Sequence, residues 1–472
     1  AVALIFYMRI YSYKQLKISM IMPAFTAARL LAATLAMMAL RGPAAAKPKQ
    51  SGARSMEATV FSFEAAVRRV MTDNPDARIA EARIAGARAL QQQAQAALRP
   101  QVTIQSSYTR TNQPVSVFGM ALNQRSFSQS LDFNNVPDAD NWNTGLAVAV
   151  PLYTGGRATA GREAAAAAAE ASVYSAMGVQ QTIALETARA FIGIHKSRAD
   201  MEAAEAGVAA FASNLEVSRQ RLAAGTALKT DVLDIEVGLA QAGEDLARSR
   251  NAHALARQAL ASLLGVETGT VDITGPAPSL PIPSAAQLPV RAEVRAAESM
   301  ERAAAATVKQ AASGAKPGVQ AFGQVEHNRG ATFDNDGSNY MLGIRAQWNI
   351  WDGGRTKAQV QEAQAALTVA QESVRRAWLM VNTEVQQARL ALYEAAERLK
   401  VSARSVELAA ESVKITRERF ASGLALSTQL IDAETALTAA RVRRAEAEAD
   451  ERLARAALRR ALGMPLIPNL SK

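Results

Sequence analysis

Few residues in this chain have the type and spacing that chemistry needs. His195, His253 and His327 stand far apart, with no metal-ligand spacing. The sequence has no cysteine, so it offers no disulfide, no thiol nucleophile and no cysteine for a bacterial lipid anchor. The segment Gly225 to Thr230, with Lys229, has the outline of a phosphate loop, but Ala223 and Leu228 stand where that motif needs glycine. No nucleophile–base pattern stands out, so no enzyme and no cofactor are expected. What does stand out comes in pairs. Arg221, Gly225, Leu228, Asp231, Asp234 and Glu236 form one cluster; Arg419, Gly423, Leu426, Gln429, Asp432 and Glu434 form its twin. Acids so placed suit the first turn of a helix, against its dipole. A Gly-Gly-Arg triplet also occurs twice, at Gly155, Gly156 and Arg157 and at Gly353, Gly354 and Arg355.

These pairs belong to an internal duplication. The region from Pro151 to Gly265 matches the region 198 positions later without a change of register. SRQRLAAGTALKTDVLDIE at 218–236 returns as TRERFASGLALSTQLIDAE at 416–434. Upstream the offset becomes 217, matching Pro100 with Pro317 and Pro75-Asp76-Ala77 with Ala292-Glu293-Val294. The difference places a longer variable loop in the first copy, at about Thr111 to Asn141. The expected organisation is an export signal with an upstream extension at 1–46, a first repeat at 47–266 (helix, two strands, long helix, return helix), a linker at 267–287, a second repeat at 288–465 and a tail at 466–472.

The signal is read from Arg29, the apolar run at 30–40 and the small residues at 44–46. That run is too short for a spanning helix. The formal charge of +10 invites a nucleic-acid reading. It is set aside because the basic residues alternate with acids along helix faces, as in RVRRAEAEADERLARAALRR at 441–460.

Two periodicities position the paired clusters. Leu392, Leu399, Val406, Val413 and Phe420 recur every seven residues, as do Ile194, Met201, Val208, Leu215 and Leu222. A heptad of this kind predicts coiled-coil packing. A second seam, Val401, Leu408 and Ile415 with Ala203, Ala210 and Val217, lies about 200° away round the helix. Two seams suit a row or closed cylinder of helices; an ordinary bundle with a wide apolar face gives the same pattern. Proline-free runs from Gly156 to about Leu222 and from Arg355 to Phe420 predict helices of about 100 Å. Each is followed by a glycine-containing tip and a shorter return helix, with Thr230-Asp231 and Ser427-Thr428 as N-cap candidates.

The second periodicity is two. Tyr340, Leu342, Ile344, Ala346, Trp348 and Ile350 alternate with Met341, Gly343, Arg345, Gln347 and Asn349, and Trp142, Leu146, Val148, Val150 and Leu152 form the same pattern with Thr144 as the one polar break. Upstream, Val102 and Ile104, and Val319, Ala321 and Val325, give two weaker strands. Ten-residue amphipathic strands fit a membrane β-barrel, and also a sheet over a soluble core. In lipid a barrel must close, and four strands per chain are too few. The chain is therefore expected to oligomerise.

With its duplication, its two GGR strand-to-helix turns and its tips RLAAGTALKTDVLDIE and RFASGLALSTQLIDAE, the chain resembles the TolC family of outer-membrane efflux and secretion channels over residues 60–465. The resemblance implies a mainly α fold with a β-barrel part. Four strands per chain would complete a trimeric twelve-stranded outer-membrane barrel, joined to a periplasmic α-barrel of coiled-coil helices. It implies a passive duct of a tripartite efflux pump or type I secretion system, with a periplasmic adaptor and an inner-membrane pump (RND or ABC type) as partners. Asp432 then matches the acidic ring of the periplasmic aperture. Gln429 stands where some members carry a second acid. The tip loops Arg221, Gly225, Leu228 and Arg419, Gly423, Leu426 become adaptor-docking positions. The alternative is a soluble periplasmic coiled-coil scaffold or adaptor, which leaves the four strands unexplained.

Overall fold

The computed structural model describes residues 59–130, 132, 134–267, 270–282 and 290–467. The expected export signal lies outside them, as does most of the tail. Two 67-residue helices dominate, α4 (Arg157–Ala223) and α7 (Arg355–Ala421), followed by 35-residue return helices α5 (Lys229–Leu263) and α8 (Ser427–Ala461); the numbering counts three shorter helices and three strands that precede α4. At 1.5 Å per residue the long helices reach about 100 Å. Both tips close as Schellman turns. Gly225 and Gly423 hold φ of +73° and +79°, while Thr226 N–H donates to Arg221 O and Leu424 N–H to Arg419 O.

The return helices do not start where expected. Their N-caps are Leu228 and Leu426, which have no side-chain acceptor, and helix begins at Lys229 and Ser427. The reciprocal half of a capping box compensates. Asp231 accepts from Leu228 N–H at 3.0 Å, and its twin Gln429 accepts from Leu426 N–H at 3.2 Å.

Short helices precede the strands of each half: α1 (Phe63–Asp73) and α2 (Pro75–Ala96) in the first, α6 (Ala292–Ala312) in the second. Helix α6 packs between α4 and α7, whereas α2 packs mainly on α4. Arg291, almost fully buried, ties α6 to its neighbours through Glu293 and, on α7, Glu384. The expected linker carries structure: β4 (Val271–Ile273) pairs in parallel with β1 (Thr59–Phe61). With α1 and the middle of α4 this ribbon encloses the largest apolar core, including Phe61, Val70, Phe191, Ile194 and Leu260.

The remaining strands, β2 (Gln101–Thr111), β3 (Ala139–Tyr153), β5 (Gly318–Gly330) and β6 (Asn335–Gln347), form one antiparallel sheet in the order β2-β3-β5-β6. Trp348 and Ile350 lie past the strand end, a correction to the alternating run. The variable loop holds a helix, α3 (Pro114–Asn123), that packs on β3 and β6. Gly330 and Gly337 make room for it: a Cβ at Gly337 would stand 2.1 Å from Asn123 O. Among the described residues, no helix is long and apolar enough to cross a membrane.

Candidate functional site

Three features of this fold lie where the sequence pointed: the helix tips, the sheet and the turns between them. At the tips the structure brings the two copies together. Arg221 Nη1 donates to Phe420 O at 2.7 Å and Nη2 to Thr226 O at 3.0 Å. Its guanidinium lies 4.9 Å from the centre of the Phe420 ring. The twin Arg419 holds only its own loop, at 3.4 Å from Leu424 O. Phe420, Leu430, Phe211, Leu215, Val232 and Ile235 form the apolar floor beneath. Leu228 and Leu426 stay exposed at the extremity.

Asp432 is exposed on α8 and lines a cleft of about 930 Å³ between α5 and α8 that also reaches Asp234, Asp245, Arg248 and Arg443. Gln429 caps its helix. Buried Ser427 donates toward Asp231 Oδ1 at 3.0 Å and lies 3.2 Å from Asp234 Oδ2, a link between the two return helices. Further along the cleft, burial lifts the Asp200 carboxyl above its ordinary range, against Lys196 at 3.6 Å. Burial holds the His195 and His253 imidazoles below theirs, with Arg198 adding to it. Among the described residues no cluster of histidines and acids could hold a metal ion.

Sequence reasoning singled out Glu236 and Glu434 but missed their arginine partners. Glu434, 3 % exposed, accepts from Asn214 Nδ2 at 2.9 Å and pairs with Arg417. The first copy repeats the pair as Arg219–Glu236 at 2.8 Å, but half exposed. The seventeen-residue spacing common to both pairs was the available signal.

The sheet has two unlike faces. Cross-strand rows Val102–Val148–Gly323–Leu342 and Ile104–Leu146–Val325–Tyr340 make one face apolar. Val102, Ile104, Leu342 and Ile344 are each more than 60 % exposed, so no described residue covers it. Tyr108 packs edge-on against Trp142 near one end of the band. The opposite face carries Gln105, Asn143, Gln324, Glu326 and Arg345. Each strand-to-helix turn takes positive φ at both glycines: +66° and +89° at Gly155 and Gly156, +69° and +88° at Gly353 and Gly354. A Cβ at Gly155 would stand 2.9 Å from Lys316 Cβ, where the chain enters β5, but one at Gly353 meets nothing. Beside this turn Asp352 accepts from Gly354 N–H, Thr356 N–H and the Thr356 hydroxyl, and these bonds, the hydroxyl first, hold its carboxyl below the usual range.

Against known proteins, the family model for outer membrane efflux protein matches residues 66–266 and 287–464. No curated protein matches the chain. Among solved structures, the outer membrane protein VceC of Vibrio cholerae superposes with a TM-score of 0.72 at 19 % identity, over 86 % of this chain and 97 % of that one. A membrane protein of Pseudomonas aeruginosa gives 0.75 at 21 %, over 88 % and 93 %. The Neisseria gonorrhoeae outer membrane channel MtrE, in its open state, gives 0.67 at 18 %, over 89 % and 95 %. At these identities the structures speak for the fold alone.

Proposed function

The chain belongs to the outer membrane efflux protein family, and from that premise we propose that this outer-membrane efflux channel works as a homotrimer, a passive duct fed by a periplasmic adaptor and an inner-membrane pump of RND or ABC type. Family membership removes the soluble scaffold from consideration. The observation that carries the trimer is the unfinished symmetry of the single chain. Strand β3 of the first copy pairs with β5 of the second. By the same rule β6 should pair with β2 of a neighbouring chain, and three chains of four strands then close a barrel.

The helices repeat the argument. Exposed Val401, Leu408 and Ile415 form the second seam of α7, with Leu379 and Leu390 further along the same helix, while α2 exposes Ile79 and Leu90. A neighbour's α2 placed against α7 would mimic the contact of α4 with α6. Gly353, free here, would meet the approach to a neighbour's β2 as Gly155 meets the approach to β5. Native mass measurement in detergent is expected to give a trimer; a stable folded monomer overturns the reading.

In this assembly the tips Arg221, Gly225, Leu228, Arg419, Gly423 and Leu426 form the periplasmic end and dock the adaptor. Asp432, exposed, carries the aperture charge, while Gln429, engaged with Leu426 N–H, is structural. Three like charges near an axis attract cations and resist closing. Asp432→Ala should therefore lower divalent-cation block of single-channel current by about tenfold. Asp231→Ala, whose acid is engaged with Leu228 N–H and Ser427, should change it little while loosening the tip. Equal block in Asp432→Ala and the unaltered channel moves the aperture away from this residue.

A further inference from the structure

We propose that the junction between the sheet and the two long helices is a binding site for organic anions, and that the duct therefore favours substrates bearing carboxylate, sulfonate or phosphate groups. The inference rests on the trimeric channel reading, because Arg345, Gln320 and Gln347 sit on the polar face that a closed barrel turns inward. A cleft of about 850 Å³ opens there, and Arg157, Lys316, Arg345 and Arg355 all line it. No carboxylate does. Among the described residues none of the four cations is in an ion pair. Asp352, in the turn beside Arg355, is the near counter-charge, but its oxygens are engaged with Gly354 and Thr356.

The placement of two of these cations runs against local preference. Helices α4 and α7 begin with Arg157 and Arg355 and carry no acid in their first turns. A helix N-terminus bears partial positive charge and ordinarily favours an acid there. At α7 the Asp352 carboxylate docks on the helix end, but at α4 the equivalent place is held by the neutral Thr154 hydroxyl, which accepts from Ala158 N–H, so one uncompensated dipole end adds to four formal charges around one space. An anion is the group that would satisfy it. Arg345 is held 5.1 Å above the Phe322 ring, which fixes its direction. Gln101, Gln320, Gln347 and Gln359 add neutral amide donors to the lining, and Tyr153 adds an aromatic surface. A charged cleft of one sign concentrates opposite charge. Threefold repetition would set this cluster around the whole duct.

The test uses the full chain in detergent, its oligomeric state fixed first by native mass. Fluorescence anisotropy then follows a pyrene trisulfonate dye and, separately, cationic rhodamine. Saturable binding of the trisulfonate is expected, falling at least about tenfold in Arg157→Gln/Arg345→Gln and unchanged in Arg329→Gln, whose residue lies on the outer face. Should the double variant not assemble, the single variant Lys316→Gln must show a loss of several-fold. A trimer that binds the dye equally with and without these cations, or binds rhodamine as well, overturns this inference and leaves the channel reading intact. A folded monomer overturns the channel reading and the inference with it.

Discussion

Arg417→Ala is expected to destabilise the tip end of the helical hairpins by about 3 kcal/mol, and Arg219→Ala by less than about 1 kcal/mol. The duplication supplies this comparison. Both arginines sit seventeen residues before a glutamate partner, on the same pair of elements in each copy. Their surroundings differ. Glu236 is 40 % exposed, so water solvates its carboxylate when the partner goes. Glu434 is 3 % exposed, and without Arg417 only the Asn214 amide would remain to it. Removing one member of a buried pair costs more than the pair contributes, because a charge is left without compensation. Arg417 is itself 45 % exposed, which keeps the effect at the lower end of the range for such pairs. Amide hydrogen exchange of the tip helices measures it as a loss of protection confined to that end. Arg417→Ala/Glu434→Gln should recover part of the loss by removing the stranded charge. Equal losses from Arg417→Ala and Arg219→Ala would mean that Glu434 reaches water in solution.

This asymmetry was invisible in the sequence, where the two copies read alike. Lengths and breaks were legible. The Gly-Gly turns fixed the starts of α4 and α7, since φ is positive at both residues of each turn, and an uninterrupted register fixed equal helix lengths. Alternation of side chains gave the four strands, because an unpaired apolar face survives in this chain only where lipid will cover it. Elements set by packing rather than pattern were not legible. Helix α3 sits inside the variable loop, where Pro114 at its first position and the apolar run from Val115 to Leu122 were the available signal. Strand β4 is three residues long and exists because β1 lies beside it. Thr230 and Ser427 have N-cap chemistry, yet the helices begin earlier on leucines, because Asp231 and Gln429 cap from the third position. The basic junction escaped notice because Lys316 comes from sequence far from both Gly-Gly-Arg triplets, and Arg345 read as one polar residue of an alternating strand.

Arg221→Ala is expected to separate the two tips and shift the channel toward leak by about tenfold, through loss of the one charge-assisted hydrogen bond that crosses between them, at about 1.5 kcal/mol. Arg221 reaches from one tip loop to the other, to Phe420 O at 2.7 Å, while stacking on the Phe420 ring. Arg419, its twin, bonds only within its own loop, so Arg419→Ala should change little. Arg221→Lys should restore only part of the contact, since an ammonium cannot serve two carbonyls in a fixed fork or stack flat on the ring. Gly423→Val should resemble Arg221→Ala: its new Cβ would lie 3.2 Å from Arg221 Nη2, at a φ of +79° that a branched side chain resists. Gly225→Val shares the backbone strain but meets no neighbour, so its effect should be smaller. Single-channel conductance of the resting state, together with sensitivity of cells to antibiotics too large for porins, reads the outcome. Resting conductance in Arg221→Ala no higher than in Arg419→Ala would show that the tips are held by the apolar floor of Phe420, Leu430 and Ile235 rather than by the arginine.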